Sequence, residues 1–382
     1  MKVRLGDICE VISGSTPKTN VPEYWNGTLK WITPAEIGKE CYIFDSERHI
    51  SEEGAKSANL RPLPPGTVIL SSRAPIGKTA IAGCKLYCNQ GFKNLICSSA
   101  LMPEYLYYFL SCNTHKLNLL GRGATFKELS KSIVENIEIP LINLIQQKYI
   151  VHILQNIDRL ITKYSNACSI LNEIVKSRFM EMFGDIIANS KNWDIQPLGE
   201  LCTIVRGGSP RPIEKFLGGN IPWIKIGDAT KGDSIYIHST QEHIIEAGVS
   251  KSRFIKAGSL IFANCGVSLG FARITTFDGC IHDGWLAMGD ISTHLNKVFL
   301  LKSLNQITEH FRKIAPAGTQ PNLNTAIMKA YKQVLPPLPL QQQFAAFVEK
   351  VDKSKFIVGA RLAGRLYRKV LTKLSLSEAD YD

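Results

Sequence analysis

The chain has 382 residues, 45% of them apolar and 20% charged, and its 45 Lys and Arg against 33 Asp and Glu leave a net charge of +12. That length and apolar content predict two to three domains of ~100–200 residues, each with its own core. They exclude a disordered chain, and no stretch approaches the ~20 apolar residues that a membrane span needs.

Met1 to Gly6 carries no apolar export segment, so the expected location is the cytoplasm. Ten cysteines without a Cys-x-x-Cys pair read as reduced, buried residues, with neither disulfides nor a metal centre expected.

In chain order, Leu5-Gly6-Asp7-Ile8-Cys9 leads to Gly14-Ser15-Thr16-Pro17, with the cation Lys18 directly behind. Val68-Ile69-Leu70-Ser71-Ser72, entered from Pro65-Gly66, reads as a buried strand. Gly77-Lys78-Thr79 has the tail of a phosphate-binding loop, but Ser72 stands where that motif needs glycine, so no nucleotide site is expected. A helix is expected near Pro103 to Leu110, followed by a polar loop from Gly121 to Lys127. Together these predict a mixed α/β head over residues 1–142.

From 143 to 185 the apolar residues Ile150, Leu154, Ile157, Ile161, Tyr164, Cys168, Leu171 and Val175 recur at alternating steps of four and three. A second line, Ile153, Leu160, Ala167 and Ile174, widens the stripe. Such a period predicts one helix, ~55 Å long between Gln146 and Met182 at 1.5 Å per residue, packed against another long helix.

The sequence then starts again. Leu198-Gly199-Glu200-Leu201-Cys202 leads to Gly207-Gly208-Ser209-Pro210 and the cation Arg211, a shift of 193 residues from Leu5 to Leu198. Trp31-Ile32 returns as Trp223-Ile224, Val68-Ile69 as Leu260-Ile261, Gly91-Phe92 as Gly284-Trp285, and Gln147 to Asp158 as Gln341 to Asp352. Solenoid and propeller periods run ~20–50 residues, so the unit here is a domain plus a helix. A second head is expected over 193–337 and a second long helix over 338–376. That helix should begin after Pro336-Pro337-Leu338-Pro339, and carries Phe347, Val351, Val358, Leu362 and Leu366 on its apolar side. Gly359, Gly364 and a basic tail from Arg361 to Lys373 lower its helical propensity. Pairing the two stripes antiparallel would relate the halves by an approximate twofold axis.

No tetrapeptide for holding a flipped adenine is present, nor a His-Glu-x-x-His, Gly-x-Ser-x-Gly or Gly-x-Gly-x-x-Gly, and the eight histidines are scattered. No catalytic residue is expected. The heads instead offer cations and hydrogen-bonding side chains on Gly/Pro-rich loops. In the first these are Ser15, Thr16, Lys18, Arg73, Lys78, Arg122, Thr125 and Lys127; in the second, Arg206, Ser209, Arg211, Asn264, Arg273, Thr319, Gln320 and Asn322. Arg, Lys, Asn and Gln read purine edges, while hydroxyls hold phosphates. A basic excess in every segment suits nucleic acid as the partner. The contrasts Arg73 with Asn264 and Arg122 with Pro316 predict an asymmetric target.

The order of these features resembles the specificity (S) subunit of type I restriction–modification systems. The resemblance is carried by the Leu-Gly-Asp-Ile start, Gly14-Ser15-Thr16-Pro17, Trp31 to Ile37, Ser71 to Ala80, Asn89-Gln90-Gly91-Phe92, Ile139-Pro140-Leu141 before Gln146-Gln147-Lys148, and the second copy with Trp223 to Asp228 and His282 to Leu286. It covers essentially the whole chain. It implies two target-recognition domains separated by two long antiparallel helices, each domain reading half of a bipartite double-stranded DNA site. It also implies two methyltransferase subunits and two restriction subunits as partners. S-adenosylmethionine and ATP with Mg2+ would belong to those partners, with no cofactor in this chain. Ile150, Leu154, Ile157, Ile161, Leu171 and the Phe347 to Leu366 stripe are then the expected partner-binding helices. A reading from another class is a helical scaffold with two protein-binding heads, which a DNA affinity falling steeply with salt would exclude.

Overall fold

The computed structural model describes residues 1–38, 40–123, 127–230, 235–266, 268–316 and 322–357. Thr125, Thr319, Gln320, Val358, Leu362, Leu366 and the basic tail lie outside them. The chain divides into two units at Ser165 and Asn166, within a helix that runs Leu144–Phe183.

In the first unit Val68–Ser71 is the central strand of five, in the order Cys9–Ser13, Phe92–Cys97, Val68–Ser71, Thr79–Ala82, Tyr42–Ile43. All neighbours are antiparallel except the last pair. Successive side chains of a strand face opposite sides, and here both sides are covered. Val11, Val68, Leu70, Ile81 and Leu95 share a core with Tyr105, Leu106 and Phe109 of helix Pro103–Cys112. Ile12, Ile69, Ala80, Ala82 and Phe92 share another. The unbroken apolar run at Val68 follows from this double burial. A three-stranded sheet, Arg48–Ile50, Trp25–Ile32 and Tyr87–Cys88, buries Trp31 with Ile50 and Tyr87.

The second unit repeats the plan. Its five strands run Thr203–Arg206, Trp285–Gly289, Leu260–Ala263, Ala272–Thr275, Tyr236–Ile237, and helix Lys297–Gln306 covers one face. Leu260, Phe262, Leu286 and Met288 lie on that face, and Ile261, Ala263 and Trp285 on the other. Its smaller sheet has one strand more, Arg253–Ile255. The fold is therefore the duplicated mixed α/β head expected from the sequence, and no helix among the described residues is long and apolar enough to cross a membrane.

Each long helix is tied to its own head by a buried glutamine. Gln147 Oε1 accepts from Met102 N at 2.8 Å, while its Nε2 donates to Ala100 O and Ile142 O. Gln341 Oε1 accepts from Asn296 N at 2.8 Å, while its Nε2 donates to His294 O and Pro336 O. Met102 and Asn296 cap equivalent helices, so the same amide does the same work twice.

Within the second unit the helix Leu338–Ile357 runs antiparallel to the end of the 40-residue helix. Phe344 packs on Phe179 and Phe183 at 5.4 and 5.3 Å between ring centroids, and Lys355 Nζ donates to Asn172 Oδ1 at 2.6 Å.

Two expectations are sharpened by the structure. Ile150 and Leu154 belong to the first unit's core, Leu171, Phe347 and Val351 to the second's or against it, and Ile157 and Ile161 are buried and half-buried. These side chains pack wholly or partly within the protein; the stripe was read from periodicity, which marks burial without saying against what. The second helix starts at Leu338 and takes Pro339 into its first turn, where no backbone N–H is needed for an intrahelical bond.

Candidate nucleic-acid interface

The loops carrying the predicted cations gather where the central strands end. In the first unit Cys9–Ser13 leaves the sheet at Gly14, where an added Cβ would stand 1.9 Å from Asn89 O. Only glycine permits that approach, and it lets Ser15 N donate to Cys88 O at 3.0 Å while Trp31 Nε1 donates to Ser15 O at 3.1 Å. The Thr16 hydroxyl consequently bonds the Gln90 side chain, and Lys18 projects into solvent with its carbonyl held by Trp25 Nε1 at 3.2 Å. Gly207 repeats the device, its Cβ position lying 2.2 Å from His282 O.

Arg73 stands two residues past the end of the central strand. Its Nε donates to Glu128 Oε2 at 3.0 Å, and Lys93 Nζ, on the neighbouring strand, approaches Glu128 Oε1 at 3.3 Å. Glu128 is fixed by paired backbone bonds with Arg122 and an isolated bridge with Arg73, which brings Arg73, Arg122 and Lys127 to one edge. Lys78 is half-buried and caps Pro34 O at 3.0 Å.

In the second unit the organising group is Asp283. Its Oδ1 accepts from Ser209 Oγ at 2.9 Å, Arg211 Nη2 lies 3.7 Å from its Oδ2, and its carbonyl accepts from Arg206 Nε at 3.0 Å. Burial first, and then Lys225, Arg211 and Arg206, hold His282 below the ordinary imidazole value, against the opposite pull of Asp283. The neutral ring accepts from Gly284 N at Nδ1 (2.9 Å), which leaves the proton on Nε2, 3.0 Å from Asp283 Oδ1.

Two predicted residues do not reach this surface. Asn264 is buried, its amide donating to Asn322 Oδ1 at 3.1 Å. Arg273 lies inside strand Ala272–Thr275, its guanidinium turned back onto the Phe271 ring and Ala272 O. The contrast of Arg73 with Asn264 is also shifted by one residue. Ser72 N bonds Gly91 O as Asn264 N bonds Gly284 O, and Ser72 O accepts from Leu129 N as Asn264 O accepts from Leu323 N. Arg73, bridged to Glu128, therefore matches Cys265, bridged to Asn322.

Sequence reasoning passed over Gln90, Lys93, Glu128 and the anchoring role of Asp283. Gln90 and Asp283 stand just after equivalent strands in quoted motifs, a signal that was available; Glu128 and Lys93 meet only through the sheet register. Among the described residues no cluster of His, Cys, Asp and Glu could hold a metal ion, and the ten cysteines are free. Burial pushes the Cys41 thiol up to about 12 and Cys202 to about 11.

The family described as type I restriction modification DNA specificity domain matches residues 1–174 and again 190–361. The MjaIX type I restriction enzyme specificity subunit of Methanocaldococcus jannaschii is 32% identical over 91% of this chain and 85% of its own length. The MjaVIII specificity subunit of the same organism is 22% identical over 92% and 85%. In fold, the chain is similar to the S subunit of a type I restriction–modification system from M. genitalium, with a TM-score of 0.53 at 15% identity over 98% of this chain and 95% of that one. Two matched segments span both heads and most of both helices, and the chain thus belongs to the type I restriction–modification specificity family, with its DNA specificity domain present twice.

Proposed function

We propose that the chain is the DNA-reading subunit of a cytoplasmic type I restriction–modification complex, each unit reading one half of an asymmetric bipartite site. The observation that carries this reading is the repeated sheet end: the same backbone contacts frame it in both units, but Thr16, Gln90, Arg73 and Glu128 line one, and Ser209, Asp283, Cys265 and Asn322 the other. Identical frames with different donors and acceptors present different patterns to the base edges of a major groove. Ser15, Thr16, Lys18, Arg73, Arg122 and Lys127 serve one half-site; Arg206, Ser209, Arg211 and Asn322 serve the other.

The helices set the spacer and dock two methyltransferase subunits. The docking face lies on the second-unit part of the long helix, where Ile174 of the second apolar line and Ile170 one turn before it are 45% and 60% exposed. S-adenosylmethionine, ATP and Mg2+ act on the partner subunits, including two restriction subunits where the system cleaves. Mapping methylated adenines in cells carrying this chain and its methyltransferase tests the reading. Two unlike half-sites across a fixed gap are expected, and a perfect palindrome or the absence of any motif would overturn it.

A further inference from the structure

We propose that Arg73 reads a guanine in the half-site of the first unit, and that Glu128 and Lys93 exist there to aim it. The inference rests on the DNA-reading function above and goes beyond it in naming the base and the positioning residues. Arg73 is 48% exposed and spends only its Nε on Glu128, so the terminal nitrogens of its fork make no hydrogen bond among the described residues. Glu128, 34% exposed, is clamped through its backbone to Arg122, and its second oxygen faces the Lys93 ammonium, which is 7% exposed. A carboxylate beside an arginine would cancel the charge that DNA attracts. The buried Lys93 restores it, since two cations and one anion leave the cluster at a formal +1.

What remains is a guanidinium tethered at Nε with both terminal nitrogens left as donors, a fork that can meet guanine O6 and N7 bidentately. A phosphate can accept the same fork, and the methylation motif of the Arg73 variants separates the two contacts. Among the described residues the second unit has no counterpart. Strand register matches Lys93, opposite Leu70, with Leu286, opposite Phe262, and the bridges match Arg73 with Cys265 and Glu128 with Asn322. The three charges are replaced together by uncharged residues, as expected if they form one device.

The test uses the full chain in complex with its methyltransferase subunits, with methylated adenines mapped genome-wide. Arg73→Ala is expected to abolish the preference for one guanine in one half-site by about tenfold or more, with the rest of that half and the whole other half unchanged. Arg73→Lys keeps the charge and loses the fork, so it should relax the same position while methylation continues. Glu128→Gln should weaken discrimination at that base alone, and Arg211→Ala should alter only the opposite half. A uniform fall in methylation with an unchanged motif in both Arg73 variants would make the contact a phosphate and overturn the proposal. So would a Glu128→Gln motif identical to the wild type. A wild-type complex with no motif would instead sink the DNA-reading function itself.

Discussion

At the scale of single residues, Asp158 shows how the long helix is held to the first head. Its carboxylate accepts from Tyr108 Oη at 2.8 Å, but burial outweighs that bond and pushes its protonation above the usual carboxylate range. A carboxyl with a raised folded value is stabilising when protonated, below its unfolded value, and loses that contribution as pH rises through the folded one. Ionised Asp158 is thus a cost at neutral pH. Asp158→Asn keeps an acceptor for Tyr108 without the buried charge, so its thermal midpoint should exceed the wild type at pH 7. The gap should close as pH falls through the carboxylate range; a gap that widens on acidification would reverse the assignment.

Between elements, the amides of Gln147 and Gln341 each bind one backbone N–H and two carbonyls out of water. Removing such a side chain strands buried partners at a cost of ~1–3 kcal/mol each. Gln147→Leu and Gln341→Leu should therefore each lower stability by at least about the cost of one such partner, ~1–3 kcal/mol, in denaturant titrations, and the double variant should add the two losses, since the sites lie in different units. The repeat itself was legible because Gly14 and Gly207, Trp31 and Trp223, and the strands from Val68 and Leu260 carry local signatures of turn and core. Long-range geometry was not. The lateral match of Arg73 to Cys265 depends on sheet register, where one residue of slip exchanges a solvent-facing side chain for a buried one. Glu128 was illegible for another reason: an anion looks wrong for DNA until the cations it holds are seen around it.

For the molecule as a whole, the long helix has two apolar lines with different uses. One is committed to the cores of the units; the other, in the second unit, is open at Ile174, with Ile170 exposed one turn before it. Changing both Ile170 and Ile174 to Glu should leave the melting temperature of the isolated chain nearly unchanged, because exposed positions move stability little. The same change should weaken assembly with methyltransferase subunits by at least about tenfold in a titration, as loss of central apolar contacts does. Unaltered assembly would place the docking face elsewhere. The sheets, finally, are sealed on both sides, so nothing that varies at the strand ends has to be accommodated by repacking beneath. Each half can drift toward a new target while its twin keeps the old one, and a lineage of such chains would acquire recognition words one syllable at a time.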